Sequence, residues 1–122
     1  MSPELAFLIV EDERLVGLAL SRMFEAYGRV EVVSTLSDAR RALDDGRFDA
    51  LIVDVKLPDG TGFDVLDYAR QRSPDIDALV LSGGVDASRL SRAYTLGVTY
   101  LMKPAQMTHL QHFAMRARAR RL

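Results

Sequence analysis

Five short apolar runs punctuate the chain: Leu5–Val10, Val30–Val33, Ala50–Val53, Ala78–Leu81 and Val98–Leu101. Several are apolar at nearly every position, whereas a strand with one wet face alternates. Unbroken runs of this length predict parallel strands covered on both sides. The stretches between them carry helical spacing. Val16, Leu20, Met23, Phe24 and Tyr27 fall on one helix face, with Gly28 as its stop. Ser37 is placed to cap a second helix through Leu43, ended by Gly46. Phe63–Arg72 predicts a third, closed by Ser73-Pro74. Asp86–Leu96 predicts a fourth, ended by Gly97, and a fifth after Pro104 turns Met107, Leu110, Phe113 and Ala117 inward. Five strand–helix pairs imply an α/β fold, with a parallel sheet, right-handed crossovers and helices on both faces. The 122 residues make one domain, 1–122. A barrel of eight such pairs needs about 250 residues, so the expected architecture is a doubly wound three-layer sandwich.

Composition narrows the chemistry. There is no cysteine, which excludes disulfides, thiolate metal sites and cysteine nucleophiles. No apolar run approaches the roughly 20 residues of a membrane helix, and the opening MSPELAFLIVEDE meets acids at once, unlike a secretory leader. A cytoplasmic protein without membrane contact is expected. The formal net charge of −1 hides a split: residues 1–86 hold all 17 acids with 9 bases, while 87–122 hold 7 bases and no acid. The split suggests an acidic pole and a basic face; the plainer account is chance plus a basic helix end, which the helix dipole favours. Arg116, Arg118, Arg120 and Arg121 do not form one helical stripe and no recognition motif follows them, so this segment is not expected to bind nucleic acid directly.

Open doubly wound sheets bind ligands beyond the carboxyl ends of their strands. Glu11, Asp12 and Glu13 follow the first run, Asp54 ends the third, Ser82 follows the fourth, and Lys103 with Pro104 follows the fifth. Carboxylates gathered at one edge repel unless a cation sits among them. Oxygen donors without sulfur or imidazole favour Mg²⁺ or Mn²⁺. A metal, a lysine and a hydroxyl facing a carboxylate suit phosphoryl transfer to that carboxylate. Glu13, just ahead of a helix, reads as serving the helix N-terminus. Pro58–Gly62 matches neither GxxxxGK[ST] nor GxGxxG, and Asp59 and Asp64 would oppose a polyphosphate. It reads as a turning loop with glycines at positive φ. No Gx-Ser-xG elbow supports hydrolase chemistry.

Four segments, LIVEDE (Leu8–Glu13), LIVDVKLPDGTG (Leu51–Gly62), LVLSGG (Leu79–Gly84) and YLMKP (Tyr100–Pro104), together resemble the response-regulator receiver domain of bacterial two-component signalling. The resemblance implies a flavodoxin-like sheet of order 2-1-3-4-5. It makes Asp54 the acceptor of a phosphoryl group from a histidine-kinase phosphohistidine. Glu11, Asp12 and the backbone carbonyl of Lys56 would join Asp54 in holding Mg²⁺. Ser82 and Lys103 would contact the acyl phosphate, and Tyr100 would be the switch aromatic. The Lys103–Pro104 peptide is expected cis. The implied role is a signalling switch, not an enzyme, as a stand-alone protein or the N-terminal part of a longer regulator, often of transcription. Its partners would be a sensor kinase or phosphotransfer protein and an output domain, effector or second copy at the basic helix 4–strand 5–helix 5 face, with Arg89 and Arg92 meeting an acidic surface. Ala105 stands where the family often has a bulky apolar residue, and Val98 and Thr99 where many relatives carry acids. A haloacid-dehalogenase-type phosphatase, the competing reading, wants a second aspartate where this chain has Lys56, and a pseudo-receiver would lack part of the acidic pair, Asp54, Ser82 and Lys103 set.

Overall fold

The computed structural model describes residues 4–84 and 86–121. Five parallel strands, β1 (Leu5–Val10), β2 (Gly28–Val33), β3 (Ala50–Asp54), β4 (Asp77–Ser82) and β5 (Thr99–Met102), form one sheet in the order β2-β1-β3-β4-β5. Five helices connect and cover them: α1 (Arg14–Phe24), α2 (Leu36–Asp45), α3 (Gly62–Arg72), α4 (Ala87–Leu96) and α5 (Met107–Ala119). A two-residue hairpin, Lys56–Leu57 against Gly60–Thr61, fills the loop after β3. This is the doubly wound architecture that the runs predict.

Strand alternation sorts the core into two layers. Leu5, Phe7 and Ile9 of β1 join Ala50, Ile52, Leu79 and Leu81 against Leu20 and Phe24 of α1 and Leu110, Phe113 and Ala117 of α5. Ala6, Leu8 and Val10 join Leu51, Val53, Ala78 and Val80 against α2, α3 and Ala93 of α4. β1 and β3 are buried at every position, which is why they read as unbroken apolar runs. Phe7 and Phe24 pack with their rings tilted by 41° at 5.1 Å, and Phe113 meets Phe24 edge-on at 6.3 Å.

Several local expectations are corrected. Thr35, not Ser37, caps α2, its hydroxyl accepting from the Asp38 N–H at 3.0 Å. Met107 begins α5 on the solvent side, 55% exposed. Gly28 opens β2 instead of stopping α1; a Cβ there would strike the Leu5 carbonyl oxygen. Among the described residues only Gly97 has positive φ, at the C-cap of α4. Gly60 and Gly62 are held by close approach instead. A Cβ on Gly62 would strike the Asp54 carbonyl oxygen and lie 2.8 Å from Val53 Cγ2. Gly62→Ala must push apart the end of β3 and the start of α3, and we expect a loss of about 2–4 kcal/mol in urea unfolding.

The terminal arginines turn back on the sheet. Arg121 pairs with Asp49 at 3.2 Å and Arg120 with Asp77, both acids at the amino ends of strands, while Arg118 lies over the Tyr27 ring at 5.1 Å. Part of the late excess of bases is therefore neutralised internally.

Candidate functional site

Sheet hydrogen bonding runs one residue past the strands and so fixes the edge at which the candidate site residues stand. The Glu11 N–H donates to Val33 O at 3.0 Å, Val55 N–H to Leu81 O at 2.8 Å and Lys103 N–H to Ser82 O at 2.8 Å. The Lys103–Pro104 peptide is cis, as expected. These bonds bring Glu11, Asp12, Asp54, Ser82 and Lys103 from four separate loops to one cavity of about 550 Å³, which Lys56 also lines, with buried Glu11 immediately beneath.

Glu11 is 3% exposed and Asp54 7%. Lys103 Nζ lies 2.9 Å from Glu11 Oε2 and 2.9 Å from Asp54 Oδ2. Burial opposes a charge on Lys103, yet its bonds to Asp54 and Glu11 outweigh burial and hold the ammonium well above an ordinary lysine. Burial pushes the Glu11 carboxyl up, in spite of the bonds it receives from Lys103 and from the Glu13 N–H. Glu11, Asp12 and Asp54 each offer an oxygen within 4.8 Å of the others. That all-oxygen donor set fits a hard divalent cation. The Ser82 hydroxyl is turned to its own loop, donating to Gly84 O at 2.8 Å. Tyr100 packs on the α2/α3/α4 layer, its hydroxyl enclosed without a partner among the described residues.

Sequence reasoning missed three features. Glu13 occupies the N-cap position of α1, as expected, but its side chain makes no capping bond; its Oε1 lies 3.5 Å from Lys103 Nζ. Asp59 does cap a helix, but α2 and not its own: Oδ1 accepts from Leu36 N–H at 2.7 Å and Oδ2 from Ser37 N–H at 3.0 Å. Those two bonds hold its carboxyl below the usual value and tie the loop after Asp54 to α2. A carboxyl lowered on folding contributes stability above its unfolded pKa of about 3.8 and loses it as pH falls through the lowered value. Asp59→Asn is therefore expected to flatten the acid limb of stability as pH falls below about 4, read by urea midpoints. Third, Asp86, the N-cap of α4, and Arg89 in its first turn line the same cavity. Arg92, expected on the output face, instead meets Asp67 of α3 at 3.3 Å and covers the Phe63 ring at 4.6 Å.

The profile of the response regulator receiver domain matches residues 7–114. The chain belongs to the response-regulator receiver family. This receiver is 36% identical over 103 residues to the photosynthetic apparatus regulatory protein RegA of Rhodovulum sulfidophilum, covering 82% of this chain and 56% of that one. It is 32% identical over 117 residues to the transcriptional regulatory protein BasR of Escherichia coli, covering 93% and 52%. The receiver thus spans about half the length of these curated relatives. Among solved structures it superposes on the non-phosphorylated HemR receiver domain of Leptospira biflexa with TM-score 0.81 and 28% identity, over 93% of this chain and 94% of that one. The BeF3-activated DrrB receiver domain superposes at 0.87 with 21% identity, over 96% and 99%, a likeness of fold. The chain is a two-component signalling domain with the flavodoxin-like fold that the four sequence segments imply. No helix among the described residues is long and apolar enough to cross a membrane.

Proposed function

We propose that Asp54 of this receiver accepts a phosphoryl group from the phosphohistidine of a sensor kinase or phosphotransfer protein in the cytoplasm, and that α4, β5 and α5 report the change. The observation that carries the reading is one buried carboxylate, Asp54, clamped by Lys103 at 2.9 Å with the oxygens of Glu11 and Asp12 within 4.8 Å. An Asp54 oxygen attacks phosphorus, the P–N bond breaks, and the imidazole leaves with that electron pair and takes a proton from solvent. Water later cleaves the acyl phosphate, releasing inorganic phosphate and restoring the carboxylate. Glu11, Asp12, Asp54 and the Lys56 carbonyl would hold Mg²⁺, which when bound neutralises the crowded acids and the phosphoryl oxygens. Lys103 supplies a second positive charge. The Ser82 hydroxyl exchanges its bond to Gly84 O for a phosphoryl oxygen, and Tyr100, on the strand that pairs with β4, follows the space this vacates.

An apolar groove of about 650 Å³ opens beside the polar cavity and shares Glu13, Gly83 and Lys103 with it. Leu15, Met23, Ala105 and Met107 line it, and Leu15 is 78% exposed. A protein donor must bring its phosphohistidine to Asp54, and this patch is the apolar surface that borders the route. Leu15→Asp is expected to slow transfer from a phosphohistidine protein roughly tenfold while leaving a small phosphodonor unaffected, measured side by side with labelled phosphate. On the output side Leu90, Tyr94 and Met102 are exposed, so that face offers apolar as well as basic contact to an effector, a following domain or a second copy. Relatives named as transcriptional regulators make transcription the first output to test. The deciding experiment incubates the chain with acetyl phosphate and Mg²⁺ and reads intact mass. One hydroxylamine-labile phosphoryl group, absent with EDTA, is expected. No incorporation, or multiple turnover of an external phosphomonoester as a phosphatase would give, overturns the reading.

A further inference from the structure

Arg89 is the one base of α4 that faces the phosphoacceptor cavity, and its attachments are loose. It lines that cavity together with Asp54, Ser82 and Lys103. Its Nε stands 3.7 Å from Asp86 Oδ2, with a third of its side chain exposed. Asp86 is engaged elsewhere: its Oδ1 accepts from the Ser88 N–H at 2.9 Å and the Arg89 N–H at 3.2 Å, capping the helix. Lys103, by contrast, is already committed to Glu11 and Asp54.

The mounting of α4 lets Arg89 move. Ala93 is the single buried residue of its ten. The segment joining it to β4 begins Gly83-Gly84, where an added Cβ would meet nothing within 4 Å. Few buried residues on one element and two glycines in open space before it are the marks of a part that shifts at low cost.

The acyl phosphate brings about two negative charges and three terminal oxygens to a position that held one charge. A guanidinium pairs with such oxygens through two parallel N–H donors and is less strongly hydrated than an ammonium, so it gives up water at smaller cost. Resting on the reading of Asp54 as phosphoacceptor, we propose that Arg89 leaves Asp86 on phosphorylation and binds the phosphoryl oxygens directly, drawing the first turn of α4 toward Asp54. The phosphoryl group is thereby coupled to α4 by a charged side chain of α4 itself, alongside the Ser82 route. Lys56 also lines the cavity, but it sits on the β3 loop, where engagement would leave α4 unmoved.

The test titrates the whole chain with beryllofluoride and Mg²⁺, following affinity and the Arg89 Nε–H and α4 amide NMR signals. In the wild type the Nε–H signal is expected to shift with occupancy. Arg89→Gln is expected to weaken beryllofluoride about tenfold, to shrink the α4 shifts, and to leave Mg²⁺ affinity without beryllofluoride within twofold. Asp86→Asn keeps a cap acceptor but releases Arg89, and is expected to tighten binding severalfold; in the double variant that gain disappears. Lys56→Gln is expected to leave the α4 shifts intact. Unchanged affinity and α4 shifts in Arg89→Gln, or a gain from Asp86→Asn that persists without Arg89, overturn the proposal while the receiver reading stands. A wild-type chain that binds no beryllofluoride overturns both.

Discussion

Asp54→Asn is expected to reduce phosphoryl incorporation from acetyl phosphate below detection while leaving the fold about as stable as the wild type or more so. The two halves of that result have separate causes. An amide oxygen cannot form the acyl phosphate, because its nitrogen would have to shed a proton to leave a stable product. Shape is unchanged, however, and the amide oxygen still accepts from Lys103, whose Nζ stands 2.9 Å from Asp54 Oδ2. One of three crowded acids loses its charge, which relieves repulsion on Glu11 and Asp12. Urea unfolding in EDTA should therefore give a stability within about 1 kcal/mol of wild type or above it. Mg²⁺ affinity should fall roughly tenfold or more, since one of its three carboxylates has become neutral. Retained labelling in Asp54→Asn would move the nucleophile to another carboxylate, with Asp12 the nearest exposed one. A large loss of stability would mean that Asp54 is chiefly a partner for Lys103.

What the sequence made legible follows from the sheet. β1 and β3 lie between two helical layers, so their burial shows as unbroken apolar runs. Parallel strands end at a common edge, so the residue after each strand marks the site. Glu11, Asp54 and Lys103 stand out by that rule and meet at 2.9 Å, and Ser82, marked by the same rule, lines the same cavity as Asp54 and Lys103. The remainder depended on contacts between distant segments. Glu13 approaches Lys103 across 90 positions of sequence, and local spacing shows only an acid before a helix. Asp59 caps a helix 22 and 23 residues earlier, so its own loop looks merely acidic. Gly28, Gly60 and Gly62 are dictated by backbone or side chains from other elements approaching too closely for a Cβ, which composition cannot distinguish from turn glycine. Arg89 and Arg92 are three apart on one helix and share a face in any wheel. They part only because one reaches back to the cavity and the other forward to Asp67 and Phe63.

Lys103→Met is expected to cost about 3 kcal/mol in EDTA, with more than half of it restored by millimolar Mg²⁺. The lysine side chain is 17% exposed and Nζ contacts two carboxylates whose side chains are 1% and 9% exposed. Methionine fills the same volume, so packing changes little. What disappears is, among the described residues, the one cation that touches both Glu11 and Asp54. Glu11 is already pushed up by burial with the lysine present, and without it burial and the Asp54 charge act unopposed by any ammonium. Removing one partner from a buried pair leaves the other charge uncompensated, and the chain must either protonate it or loosen around it. A divalent cation held by Glu11, Asp12 and Asp54 offsets the same repulsion, so Mg²⁺ should stabilise Lys103→Met more than it stabilises the wild type. The measurement is a set of four urea curves, each protein with EDTA and with Mg²⁺. Equal stabilisation of both by Mg²⁺ would show that the ion and the lysine do not act on the same acids, and would remove the electrostatic basis of the proposed phosphoryl site. The variant should also take up phosphate from acetyl phosphate yet fail to shift the α4 amides on beryllofluoride binding as far as the wild type does. Under the proposed function the ammonium that bridges β5 to Asp54 would draw that edge of the sheet inward as the charge at Asp54 grows.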